Sequence, residues 1–519
     1  MSQHRPLACA LVAIVALAFA GSAQAAPPID TTALREAVTV DGMTAHQAAL
    51  EAIANANIFE GVPTRATGSP GHEESVEYVV DTMTAAGFNV TTQPFEMDIF
   101  FEQADAVFEQ ISPNPIVYTR FDGVDGVWYT ADFSGDGDAT AEAIAIDFVE
   151  PTAVPSTSNS GCETEDFDPA VVTGKIVLLQ RGTCDFGIKV ENAQAAGAVG
   201  AVVFNEGTIG AADRNNIIIP DLSDYHATIP VVGTDYATGR SLVDLAEGDG
   251  VTLRVKVDGF ADQDVLTENV IAETPGGRSD RTVVVGGHLD SVHEGPGIND
   301  DGSGVAMMLE TAEEMDELDV SPRNKLRFIF FSGEEQGLVG SAFYVSQLTK
   351  KQIQDISVMQ DYDMLASGNY GRFIYDGNGD EQGFAGPNGS GVLEQVYKDW
   401  YDSQDLAYET IPFDGRSDYD AFTAVGIPAG GIFAGAEVPK SEEQVELYGG
   451  TADLPFDPCY HQLCDTLENI SEQGFEEHKD AAVHAIQTFA QTTASVHGTD
   501  KGSTSATKDS DWNGDTLVR

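Results

Sequence analysis

Two short runs, "TVVVGG" (residues 282–287) and "RFIFFSG" (residues 327–333), constrain the fold more than anything else in the chain. Each is apolar on consecutive residues, so each asks to be buried on both faces, as a strand is inside a sheet covered on two sides. Between them "GVAMMLETAEEMDEL" sets apolar residues at helical spacing. "GLVGSAFYVSQL" follows as a second helix, with "SVMQDYDML" and "PAGGIFAG" as further strands. The alternation predicts an α/β domain: a mostly parallel mixed central sheet with helices on both faces.

That rhythm begins earlier and is interrupted. After Thr64 a Gly/Pro turn leads into a helix with Val76, Val79, Val80 and Met83 on one face and a stop at Gly87; "FNVTTQPFEM" then alternates as a strand does. Residues 105–265 instead carry many short β-type runs, such as "GKIVLLQRG", "AVGAVVFN" and "IPVVGTD", around the helical stretch "GIKVENAQAAGA". This β-rich module is inserted into the α/β domain and splits it into 26–104 and 266–495. Residues 496–519 are polar and poor in aliphatic side chains, a composition that builds no core.

The first 25 residues begin with His4 and Arg5, are apolar from Leu7 to Ala20 and close on Ala23-Gln24-Ala25. That is the pattern of a cleaved secretory leader, and no later segment is apolar for long enough to cross a bilayer. A secreted or periplasmic protein without a membrane anchor is expected. Cys9 leaves with the leader, so Cys162, Cys184, Cys459 and Cys464 remain. An even number in an exported chain suggests two disulfides with three connectivities open, of which the local pairings Cys162–Cys184 and Cys459–Cys464 are the simplest. With 84 Asp+Glu against 26 Lys+Arg, the net charge of −58 excludes nucleic acid and anionic membranes as partners and suits a salt-rich habitat. Asn-X-Ser/Thr triplets at Asn89, Asn388 and Asn469 need no explanation beyond chance.

The chemistry is concentrated where strands end. "GGHLDSVHEGPGINDDGSG" (residues 286–304) puts His288 and Asp290 at the exit of the first strand and Asp300 and Asp301 at the entrance to a helix. Glu334 and Glu335 leave the next strand, Asp363 the one after, and His461 lies in "CYHQLC". Taken singly these residues have ordinary readings: Asp300 as a helix N-cap, the glutamates as solvated, His461 as a loop histidine. His4, His226 and His293 keep such a reading. Together, two histidines and three carboxylates with a further carboxylate for acid–base work suit catalytic Zn²⁺ with open positions. In open α/β sheets the carboxyl ends of strands are where ligands bind.

These motifs, with "FSGEEQGLVGS", "DYDM", "GRSDYDAF" and "CYHQLCDT", resemble the exported co-catalytic di-zinc aminopeptidases of metallopeptidase family twenty-eight, over roughly residues 35–105 and 265–495. The inserted module, through "GKIVLLQRGTCDF" and "NAQAAGAVGAVVFN", resembles a protease-associated domain. The resemblance implies two Zn²⁺ per chain: His288 and Asp363 on one, Glu335 and His461 on the other, Asp300 bridging. It further implies Glu334 as general base, Asp290 as the acceptor that fixes the tautomer of His288, Tyr460 as a donor to the carbonyl under attack, and Arg416 in the substrate pocket. Tyr419 stands where the family often has a histidine, at a position that is not a ligand. Peptides with a free N-terminus are the implied substrates. Within the fold, a carboxypeptidase would need cations such as Arg416 for a terminal carboxylate, and a glutaminyl cyclase would use a single metal. A non-catalytic receptor would be expected to lose ligands that this chain keeps.

Overall fold

The computed structural model describes residues 29–494 and 496, apart from 122–124, 153–157, 212–213 and 226. The leader with Cys9, the tail beyond Val496, His4 and His226 lie outside these residues. Among the described residues no helix is long and apolar enough to cross a membrane.

One mixed sheet runs through the molecule. From one edge its strands are Glu409–Ile411, Phe373–Tyr375, Ala429–Phe433, Ile356–Tyr362, Arg278–His288, Asn324–Phe331 and Thr252–Glu273. Arg278–His288 is parallel to both neighbours, and Ile356–Tyr362 is parallel to Ala429–Phe433. The apolar runs of the sequence are these central strands, with Val283, Val284, Val285, Phe328, Ile329 and Phe330 fully buried. One face is covered by the helix Gly302–Glu317 and the last helix, Glu472–Gln491, in one core; the other packs Tyr344, Val345 and Phe422 against Val284 and Ile329. Helices on both faces follow directly from strands that have no polar side.

Local signals set the helix ends. Ser69 accepts the amide of His72 ahead of Pro70, and the helix Pro70–Ala85 closes at Gly87 (φ +78°), where the Phe88 amide reaches back to the Met83 carbonyl at 3.1 Å. Asp301, and not Asp300, caps the helix Gly302–Glu317: its Oδ1 accepts the Gly304 amide at 2.8 Å. Asp300 is thereby left without a capping duty.

The inserted module has its own parallel strands, Gly137–Ile146, Ile176–Gln180, Gly200–Phe204 and Val231–Thr234, and its own apolar clusters. Paired strands join it to the rest. The strand Asn89–Ser112 pairs with Thr252–Glu273 from Asn89↔Glu273 to Ser112↔Thr252, with register shifts near Asp258 and Asp262. Positions 104 and 265, read from composition as the limits of the module, lie inside this two-stranded ribbon. Composition changes there while the ladder runs on, with only local shifts of register.

Candidate metal centre

Strand exits deliver the side chains. His288 is the last residue of its strand; Asp363 follows Ile356–Tyr362; Glu334 and Glu335 follow Asn324–Phe331. Asp300 arrives at the head of the helix Gly302–Glu317, which can lie this close only because of glycine. A Cβ on Gly304 would sit 2.0 Å from the Tyr362 carbonyl, and one on Gly287 2.6 Å from Asp301 Oδ2. His461 comes from outside the sheet, in a loop closed by a disulfide between Cys459 and Cys464; the other disulfide joins Cys162 to Cys184.

The two oxygens of Asp300 face different histidines. Oδ1 lies 3.1 Å from Nε2 of His288, which is also 3.5 Å from Asp363 Oδ1. Oδ2 lies 3.2 Å from Nε2 of His461, which is also 3.2 Å from Glu335 Oε2. Two groups that could each hold a metal ion, His288–Asp300–Asp363 and Asp300–Glu335–His461, therefore share one carboxylate. Asp363 Oδ1 and Glu335 Oε1 are buried without a hydrogen-bond donor. Buried oxygens left in that state are costly unless a cation answers them, and an imidazole–carboxylate donor set suits zinc. Elsewhere, Asp376, Asp380 and Glu394 also cluster, but there Lys398 Nζ already stands 2.6 Å from Glu394 Oε1.

Charge is coupled throughout the centre. Burial would lower His288, but the charges of Glu334 and Asp363 and the bond to Asp300 hold it well above the usual imidazole range; His461 is raised likewise by Glu335. Burial opposes ionisation of Asp300, yet hydrogen bonds from both histidines hold it below the usual carboxylate range. Glu334 is pushed well above that range, first by burial and then by Glu335, Asp363 and Asp418, against the pull of His288.

One contact differs from the sequence reading. Nδ1 of His288 meets the backbone carbonyl of Asp290 at 3.0 Å, with the carboxylate Oδ1 at 3.9 Å. That carboxylate instead accepts the Glu334 amide at 3.3 Å. The main chain, being closer, is the partner of the imidazole.

Tyr460 stacks on the His461 ring, with centroids 3.8 Å apart, and its hydroxyl is 3.1 Å from Arg416 Nη2. Arg416 is paired with Glu437 at 2.9 Å. Beyond this cluster a pocket opens, walled by Met364, Tyr375, Ile411, Phe433 and Ala436 with Asp414 and Arg416 at its side. Tyr419 is fully buried and hydrogen-bonded to Asp414 at 2.8 Å, away from the ligands. His293 stacks on Phe101.

Several residues that position the centre were invisible in the sequence. Asp465 accepts the amides of Asn299 (2.9 Å) and Asp300 (3.1 Å), tying the disulfide loop to the carboxylate that the two groups share; burial lifts its carboxyl to about 8. Asp418 is buried beside the His288 group and raised by that burial to about 7. Asn469 donates to Asp457 and Asp465, so its triplet is committed to this network. Nothing separates such carboxylates from solvated ones in a chain with 84 of them.

Comparison with known proteins follows the same division. The model of "Peptidase family M28" matches residues 269–486, and that of the PA domain matches 147–242. An aminopeptidase of Pseudomonas aeruginosa is 39% identical over 425 residues, 80% of this chain and 75% of its own. A probable lipoprotein aminopeptidase of Mycobacterium tuberculosis is 36% identical over 525 residues, 96% of each chain. Among solved structures, an aminopeptidase from an Aneurinibacillus strain superposes with a TM-score of 0.59 at 25% identity, covering 88% of this chain and 95% of that one. A zinc aminopeptidase from Bacillus subtilis shares the fold, with a TM-score of 0.53 at 22% identity over 86% and 94%.

Proposed function

The chain belongs to peptidase family M28 and carries a PA domain within it, and from that footing we propose an exported aminopeptidase that releases N-terminal residues with two zinc ions. The observation that carries the two-ion reading is Asp300, whose oxygens each face a different histidine at 3.1 and 3.2 Å. His288 and Asp363 would hold one ion, Glu335 and His461 the other, with Asp300 between. When bound, such a pair polarises a scissile carbonyl and makes a water more acidic.

The remaining work falls to side chains. Glu334, which is not needed as a ligand, takes the proton of the attacking water and returns it to the leaving amine. The Tyr460 hydroxyl, held by Arg416, donates to the carbonyl oxygen as negative charge develops there. The apolar walls accept the first side chain of the peptide, and the surrounding carboxylates favour a free, cationic α-amine. Among the described residues lining the cavity Arg416 is the only Lys or Arg, and Glu437 already occupies it. The carboxypeptidase reading thus lacks a free cation.

The test combines metal analysis with an exopeptidase assay. Purified protein is expected to hold two zincs per chain, to cleave leucine p-nitroanilide and to leave its N-acetyl derivative intact. Activity in metal-free protein, or release of C-terminal residues instead, would refute the reading.

A further inference from the structure

We infer that Arg65 is a positioning residue for the metal centre: it holds the loop between His288 and Asp300 ready for the ions before they arrive. The inference rests on the two-zinc reading above.

In the sequence Arg65 sits in "TRATGSPG", a turn where a lone arginine would normally reach into solvent. In the structure it is fully buried and is among the largest side chains of the interior. Its guanidinium reaches three backbone carbonyls of one loop: Nε donates to Pro296 at 2.8 Å, Nη2 to Gly297 at 2.5 Å, and Nη1 to Leu289. Leu289 adjoins His288, and Gly297 lies three residues before Asp300. One planar group therefore spans both ligand-bearing ends of the loop.

Buried carbonyls must find donors. Only the arginine fork offers several donors at fixed angles, so it sets the distances between the carbonyls as well as satisfying them. Gly297 makes room: at φ +62°, a Cβ there would stand 3.1 Å from Nη2 and 2.4 Å from the Asp300 carbonyl. The backbone is tied in the same place. Arg65 N donates to Ser291 Oγ at 3.0 Å, and Thr64 Oγ1 to the Val292 carbonyl at 2.8 Å.

Electrostatics point the same way. The three bonds go to neutral carbonyls; burial disfavours the guanidinium charge, and the charges of Asp290, Asp465, Asp301 and Asp300 offset part of that cost. A fixed cation behind these carboxylates offsets their mutual repulsion when no metal is present.

The test uses the full chain and zinc alone. Arg65→Lys keeps the charge and loses the fork, and zinc affinity, measured against a chromophoric chelator, is expected to fall about 10–100-fold, the scale for partners that orient metal ligands. A folded variant with affinity within about twofold of wild type would overturn the proposal. Should the variant not fold, hydrogen exchange on metal-free wild type decides. Amides of residues 289–299 are expected to stay protected after zinc is removed, and loss of that protection rejects the idea. Zinc binding and peptidase activity of the wild type test the earlier reading separately.

Discussion

The carbonyl oxygen of Asp290 lies 3.0 Å from Nδ1 of His288, nearer than either function its carboxylate could offer that ring. Main chain and side chain of one residue thus serve different partners, since the carboxylate holds the Glu334 amide. Asp290→Ala is therefore expected to keep near-normal zinc content while kcat falls about 10–100-fold. Metal analysis beside steady-state kinetics checks this; zinc lost in step with activity would return the imidazole to the carboxylate.

Glu334 and Asp300 should separate chemistry from binding. With Glu334 as the proposed base and not a ligand, Glu334→Ala is expected to abolish turnover with zinc retained. Asp300→Ala lowers zinc occupancy as well, since its two oxygens face both groups. The reverse pattern in elemental analysis would exchange their roles.

His461 has a left-handed backbone (φ +55°), a conformation that costs on the order of 1 kcal/mol in a non-glycine residue. It lies in the loop closed by Cys459 and Cys464, and holding it there is the role expected of that bridge. Replacing both cysteines by serine should cut zinc affinity and kcat/KM at least about tenfold, because small displacements of reacting groups are expensive. Chain entropy gives this short loop about 2 kcal/mol, against about 3 for the longer Cys162–Cys184 loop, so zinc-saturated melting should move by only a few degrees. Unchanged kinetics and affinity would make the bridge a mere staple.

The cavity predicts preference. With Met364, Ile411, Phe433 and Ala436 on its walls, leucine substrates should exceed glycine and aspartate ones in kcat/KM. Ala436→Phe fills the space and should raise KM for leucine p-nitroanilide while sparing the alanine compound. Equal effects on both would place the first side chain elsewhere.

Acid stability has an identifiable contributor away from the metal. Burial holds His478 at about 4 in the fold, with Nδ1 2.7 Å from the Gly474 carbonyl. The unfolded chain has an ordinary imidazole near 6.5 and so binds more protons between these values. Stability is therefore full above about 6.5 and is lost as pH falls toward about 4, by up to about 3 kcal/mol. His478→Gln should flatten the melting curve across that window; an unaltered slope assigns the loss to other groups.

The residues that the structure gathers into the candidate centre were legible because strand exits are marked twice, by the end of an apolar run and by the onset of charge, as at His288 and Glu335. Asp300 and Asp301 could not be told apart as capping residue and free carboxylate, since adjacent aspartates offer the same chemistry and only the turn decides. Arg65 gave no signal, for its value lies in carbonyls contributed by residues more than two hundred positions away. The ribbon was missed for a different reason: its outer residues are charged where the strands are exposed, so composition changed while the ladder continued.

That ribbon makes the inserted module the tip of one very long hairpin. Leu266 pairs with Glu96, and the rungs beyond lead outward to the module and back again. A chain that turned at this rung through two residues would return to the central sheet in the same register. The order and register of the central strands would be kept, while the contacts that the outer ribbon makes with the site's loops, Phe101 on His293 and the Phe100 amide on Gln336, would leave with the module.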